Sequence, residues 1–329
     1  MSYSSNYTIT TLSASVEQYS VFTVGARAPI IPSGRVRQTV GGAPYTAVNG
    51  TSKKFPLGFV CYNGDWVPGK VGNYALKFDG TNDWVSVGAA ADWGWMNGKG
   101  DTTGFKWTVS FWMKFNQLPS SINTYATVIS TNDFGGNAGI TIYYDDTGGA
   151  NCMGLLVKNS AGGNVIALTG PTTYYPDDLQ WHHVVVTFNM NADNGAGVYD
   201  ANIYIDGNST PKAQTNTTGE PSDANSTREL QIGSAGQGTA YPTPAALDEL
   251  AIWNVVLTAT EIGQLYANGL GQPASNVQSS NLVSYFNFEG GSGNSTIGNY
   301  SSAISGSLGG GMQNMDAGTA CEFPVKTTW

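Results

Sequence analysis

The segment 247–269, LDELAIWNVVLTATEIGQLYANG, constrains the fold more than any other part of the chain. It reads as a strand, a tight connection, a capped helix and a stop. Leu250 and Ile252 alternate with Ala251 and Trp253 in a β-rich run, which is the period-two pattern of a strand. Thr258 and Glu261 stand in the Ser/Thr-x-x-Glu spacing, so the hydroxyl can satisfy an orphan N–H of the first turn while the carboxylate reaches back. Ile262, Leu265 and Tyr266 then share one helical face, and Asn268-Gly269 supplies left-handed residues to end the helix.

Residues 74–87 place two short apolar strands around Asp79-Gly80, the signal of a β-hairpin. Further strands are predicted over 107–115, 181–186, 203–207 and 230–233. In this order, over 71–269, the pieces resemble a laminin-G-like jelly roll. That family belongs to the concanavalin A-like sandwiches, which include pentraxins and laminin G domains. The resemblance implies an all-β, antiparallel β-sandwich, here with an extended N-terminal arm or a small N-terminal β-subdomain. The run 281–290, NLVSYFNFEG, resembles a strand found beside such sandwiches and is expected to return to the main sheet or to open a tail.

Composition agrees with short strands joined by turns. Only 11% of residues are charged and there are 43 glycines, while aromatics at 12% can fill a core. The chain divides into an N-terminal attachment segment, 1–70, a jelly roll, 71–270, and a linker with a C-terminal strand or tail, 271–329. Prolines and glycines recur every few residues through 25–44 and forbid a long helix there. Charge is segregated. Residues 1–60 hold five basic groups, Arg27, Arg35, Arg37, Lys53 and Lys54, against Glu17 alone, a net +4, whereas the remainder carries −13 of the total −9. This asymmetry marks the N-terminal segment as a docking element for an acidic partner. The overall acidity, with no aromatics interleaved among the basic residues, argues against nucleic acid. No run of 18 apolar residues suits a membrane-spanning helix, and the N-terminus shows no basic region followed by an apolar one. Three cysteines, Cys61, Cys152 and Cys321, are widely spaced and form neither a disulfide framework nor a zinc pattern.

Catalytic patterns are absent. A glucanase on this fold needs carboxylates alternating along a strand. The chain offers the adjacent pairs Asp145-Asp146, Asp177-Asp178 and Asp248-Glu249, whose side chains are expected on opposite strand faces. For the same reason His182 and His183, the only histidines, cannot share a pocket. The resemblance raises calcium, which pentraxin and laminin G sandwiches hold on loop carboxylates. The loop 131–139 has Asn137-Ala138 where a pentraxin-type site needs Asp-Asn, and Ser234 to Gln237 replaces its second cluster. This leaves no cofactor, or a single weak structural calcium on Asp133 or Asp145. A glycan-binding surface needs aromatic platforms with polar neighbours. Trp93 and Trp95, and Tyr174 and Tyr175, lie outside clear strand patterns and are either such platforms or plugs for the ends of the sandwich.

Together these features give the expectation of a non-enzymatic virion structural protein, a bacteriophage capsid decoration or minor capsid protein. It would be made in the host cytoplasm, carried on the virion surface and homo-oligomeric. Its partners would be the major capsid protein or another virion protein and a host cell-surface glycan. Alternatives are a phage tail or head fibre receptor-binding protein, a bacterial extracellular carbohydrate-binding adhesin and, less favoured, a glycoside hydrolase.

Overall fold

The structure is a computed structural model. It describes residues 74–99, 104–134, 137–159, 164–169, 173–191, 198–218, 226–269 and 271–288, together with the backbone of short strands outside these ranges. The chain divides into two units, one of 1–71 with 270–272 and one of 72–269 with 273–329. In the first, β1 (Ile9–Thr11) pairs with β2 (Ser20–Phe22), β4 (Tyr45–Thr46) with β5 (Ser52–Lys53), and β6 (Phe59–Tyr62) with both β3 (Val36–Arg37) and β7 (Asp65–Pro68).

The second unit is a sandwich of two antiparallel sheets. The first sheet runs β17 (Ala213–Thr218), β16 (Val198–Ile205), β15 (His182–Asn191), β10 (Lys106–Phe115), β19 (Ala245–Trp253), β8 (Tyr74–Lys77), β23 (Ala320–Glu322). Strand β20 (Leu282–Phe286) adds to β19, so the 281–290 run does return to the main sheet. The second sheet runs β14 (Asn164–Thr169), β13 (Cys152–Lys158), β12 (Gly139–Asp145), β11 (Tyr125–Ser130), β18 (Leu230–Ile232), β9 (Trp84–Val87), β22 (Gly310–Gln313), β21 (Thr296–Ile297).

Period-two alternation builds the core. Trp107, Val109, Phe111, Met113 and Phe115 of β10 turn inward with Val184, Val186 and Phe188 of β15. They meet Val128, Ile140, Ile142, Tyr144 and Leu155 from the second sheet. Trp107 stacks on Phe188 at 5.3 Å. A short helix α1 (Ala90–Trp93) follows β9, and the outer face of the first sheet is covered by α2 (Ala259–Tyr266), whose Ile262 and Leu265 pack on Val185, Ala251 and Trp253. The capping box forms as the spacing predicted: Glu261 N–H donates to Thr258 Oγ1 at 3.3 Å, and Thr258 N–H donates to the Glu261 carboxylate at 2.7 Å.

Three local expectations are corrected. Residues 74–87 do not form a hairpin, because β8 joins the first sheet and β9 the second. The turn between them is a crossover, held by Asp79 N–H donating to Asp83 at 2.8 Å and Thr81 N–H to Asp79 at 2.6 Å. The left-handed stop of α2 begins one residue early, at Ala267 (φ 47°). Finally, the β10–β19 ladder shifts register between Ser110 and Trp112, where Glu249 takes φ 52°. Leu247 and Leu250 both face the core, so Asp248 and Glu249 between them both turn to the outer side rather than to opposite faces.

Gly233, which leaves β18 at φ 88°, tests the packing. A Cβ there would stand 2.2 Å from the Phe78 ring. Gly233→Ala should lower stability by roughly 2–5 kcal/mol through strain and overpacking. Urea unfolding measures it, and a loss under 1 kcal/mol would contradict this packing.

Candidate functional site

The two sheets treat their outer faces differently. On the second, alternation points Tyr125 and Tyr143 away from the core that Ala126, Ile142 and Tyr144 fill. The Tyr143 ring crosses over Gly154 of β13, where a Cβ would lie 2.4 Å from it. Two connections add further rings to this face, Phe134 from the turn between β11 and β12 and Tyr241 from the segment between β18 and β19. Centroid separations are 5.2 Å for Tyr125–Phe134, 5.5 Å for Tyr125–Tyr143, 5.1 Å for Tyr125–Tyr241, 5.1 Å for Phe134–Tyr143 and 4.7 Å for Phe134–Tyr241. Most of these pairs meet edge to face. The result is an aromatic cluster, the cup, in which Tyr143 is buried, Tyr125 and Phe134 are half-buried and Tyr241 is 37% exposed.

The cup is held at a cost. Phe134 and Tyr241 sit at φ 60° and 49°, a region that bulky residues rarely enter and that costs of order 1–3 kcal/mol each. Asn132, fully buried, offsets this for Phe134: its Oδ1 accepts from Phe134 N–H at 2.7 Å and from Thr141 Oγ1 at 2.9 Å. Thr127 N–H donates to the Tyr241 carbonyl at 2.8 Å. Polar groups border the cup. Asp133 Oδ1 accepts from Asn137 at 3.2 Å, and its Oδ2 lies 3.7 Å from the Arg228 guanidinium. Glu229 accepts from Gln231 and Gln237 at 3.3 and 3.4 Å.

None of these four rings was singled out by sequence. The four that were lie elsewhere. Trp93 is fully buried and donates its indole N–H to the Val87 carbonyl at 2.9 Å; Tyr175 is 2% exposed, edge-on to Phe115 and Tyr144. Both are core residues and not exposed platforms. Trp95 and Tyr174 pack partly buried against the same core, with the Tyr174 hydroxyl donating to the Met153 carbonyl. Asp133 lies in the turn before β12 and Asp145 ends that strand. Asp145 Oδ1 is already bonded to the Thr147 N–H and hydroxyl at 2.8 and 2.6 Å. Among the described residues no group of three His, Cys, Asp or Glu converges as a metal site. Arg27, Arg35 and Lys54 lie outside the described residues, as do the side chains of Arg37 in β3 and Lys53 in β5.

A laminin G-type family model, described as the concanavalin A-like lectin/glucanases superfamily, matches residues 79–263, more than half of the chain. The chain belongs to that superfamily. A search of curated protein sequences returns no match. Among solved structures, a Bacteroides ovatus ATCC 8483 protein proposed to bind carbohydrate is 18% identical with a TM-score of 0.48, the match covering 80% of this chain and 64% of that one. The chain thus spans less than two thirds of that protein's length. The CBM40 domain of the Ruminococcus gnavus IT-sialidase, bound to α2,3-sialyllactose, gives 16% and 0.37 over 49% of this chain and 82% of that one. The Streptococcus pneumoniae NanB sialidase gives 14% and 0.39 over 58% and 27%.

In this lectin/glucanase superfamily member the acidic pairs are occupied structurally. Asp248 and Glu249 are buried, with the Tyr285 hydroxyl donating to Glu249. Asp177 accepts from the Ser120 N–H and hydroxyl at 2.9 and 2.7 Å. The histidines do face different surroundings. His183 is sealed on the outer side of the first sheet, its Nε2 2.8 Å from Ser110 Oγ, and burial pushes its pKa down to about 4, so its ring is neutral at pH 7. His182 has Nδ1 2.7 Å from Asp206 and Nε2 2.9 Å from Asp178. Burial acts to lower its pKa, but the two carboxylates outweigh it and the net shift is upward. A raised histidine pKa stabilises fully below about 6.5, and the contribution fades as pH rises through the folded-state value. The stability lost by His182→Gln should therefore be greatest near pH 5.5 and shrink at alkaline pH. A pH-independent loss in urea unfolding would contradict the charged clamp.

Proposed function

We propose that the chain is a non-enzymatic glycan-binding protein and that the cup of Tyr125, Phe134, Tyr143 and Tyr241 is its sugar platform. The observation that carries this is the pair of strained aromatic residues, Phe134 and Tyr241, clustered on a sheet face close to polar groups. Strain maintained by a buried asparagine at a surface site signals function, since relaxing it would stabilise the fold. Apolar sugar faces stack on such rings while their hydroxyls bond the rim. Membership of a lectin and glucanase superfamily supports a carbohydrate ligand. The buried state of Asp248 and Glu249 supports a binding role over hydrolysis.

A finer reading is supported by the charge segregation, +4 over residues 1–60 against −13 for the rest. In it the sandwich is displayed outward on a virion, as a bacteriophage capsid decoration or minor capsid protein, and the basic N-terminal segment attaches it to the shell as a homo-oligomer.

Each part has its own test. Full-length protein screened on a glycan array should bind, and Phe134→Ala or Tyr241→Ala should weaken binding by up to about ten-fold, the worth of an aromatic contact of about 0.5–1.5 kcal/mol, with unchanged far-UV circular dichroism. Retained affinity in both variants would refute the platform. Quantitative protein inventory of purified particles should find copies in a simple ratio to the major shell protein; absence from particles would refute the virion reading.

A further inference from the structure

Beside the cup lies a rim pair that is too close to be independent and too far apart to be satisfied. Asp133 immediately precedes Phe134, and its Oδ2 is 3.7 Å from Arg228 Nη2, beyond hydrogen-bond range. The Arg228 side chain is 35% exposed, and its guanidinium makes no hydrogen bond to another described residue. The backbone fixes its root, with Arg228 N–H donating to the Thr131 carbonyl at 3.0 Å on the same turn that carries Phe134. Among the described residues Asp133 is tethered only through Oδ1, by Asn137. One rim position therefore presents spare donors and a spare carboxylate oxygen side by side, one residue away from an aromatic wall.

We propose that the Asp133–Arg228 pair makes the cup selective for uncharged sugars by reading two adjacent hydroxyls, and that it turns carboxylated sugars away. The inference rests on the glycan-binding reading of the cup. A hydroxyl is both donor and acceptor. One hydroxyl can donate to Asp133 Oδ2 while its neighbour accepts from Arg228, which satisfies both ionic groups without separating them. A sugar carboxylate could take only the guanidinium. It would then face the Asp133 carboxylate, whose Oδ2 lies 3.7 Å from that guanidinium. Hydrogen bonds to charged groups are the strong ones, and a like charge left facing them is penalised.

The test uses the full chain in calorimetric titrations with three probes: a neutral hexose oligosaccharide, an oligogalacturonate, and that oligogalacturonate after its carboxyls are reduced to alcohols. The neutral and reduced probes should bind about ten-fold or more tighter than the uronate, and Arg228→Gln should lose about ten-fold on the neutral probe, the worth of one charge-assisted hydrogen bond. Asp133→Asn should narrow the gap between uronate and reduced probe. Equal or tighter binding of the uronate, abolished by Arg228→Gln, would overturn the inference in favour of an anion site. Full neutral-probe affinity in Arg228→Gln, alongside its loss in Phe134→Ala, would overturn the rim's role and leave the cup standing. Undiminished binding in Phe134→Ala and Tyr241→Ala, or no binding of any probe, would overturn the glycan reading itself.

Discussion

Burial of two period-two apolar faces against one another is the interaction on which this molecule depends. Once β10 and β15 turn their tryptophan, phenylalanine and valine residues toward β11, β12 and β13, every other residue of those strands is committed to an outer face. Each outer face then needs its own solution. The first sheet buries it under α2, and the seam includes Trp253, whose indole N–H donates to the Val277 carbonyl at 2.9 Å. On the second sheet, connections fold back across the strands and bring rings with them. The functional surface proposed for this protein is a consequence of that asymmetry.

The same commitment explains where polar chemistry went. The bulge at Glu249 lets Leu247 and Leu250 keep their inward positions and forces two carboxylates to one side, where they are buried and bonded instead of exposed. His182 and His183, adjacent in sequence, end in opposite protonation tendencies because only one meets two carboxylates through its ring. Neither arrangement involves the four rings of the cup.

Much of the framework was legible in the sequence because it follows from local rules. The capped helix, the strand before it and the β10 and β15 core faces rest on spacing alone, and the family match over 79–263 agrees with the resemblance drawn from those pieces. What escaped was set by tertiary context. The Asp79-Gly80 turn looks the same whether it closes a hairpin or crosses between sheets, and only the partners of β8 and β9 decide. Trp93 and Tyr175 lie in irregular segments, where platform and plug look alike in sequence, and only their burial shows that they plug the core. The cup is spread over residues 125, 134, 143 and 241, which no local window unites. A weak signal existed: Tyr125 and Tyr143 occupy the outward phase of two strands, and Phe134 and Tyr241 are bulky rings in stretches otherwise made of turn residues.

The most direct measurement is a crystal structure of the full chain with an oligosaccharide taken from its own binding profile. A sugar ring in van der Waals contact with Phe134 and Tyr241, with hydroxyls at Asp133 and Arg228, is the predicted result. A sugar seated at another face, with the four rings of the cup uncovered, would contradict the account.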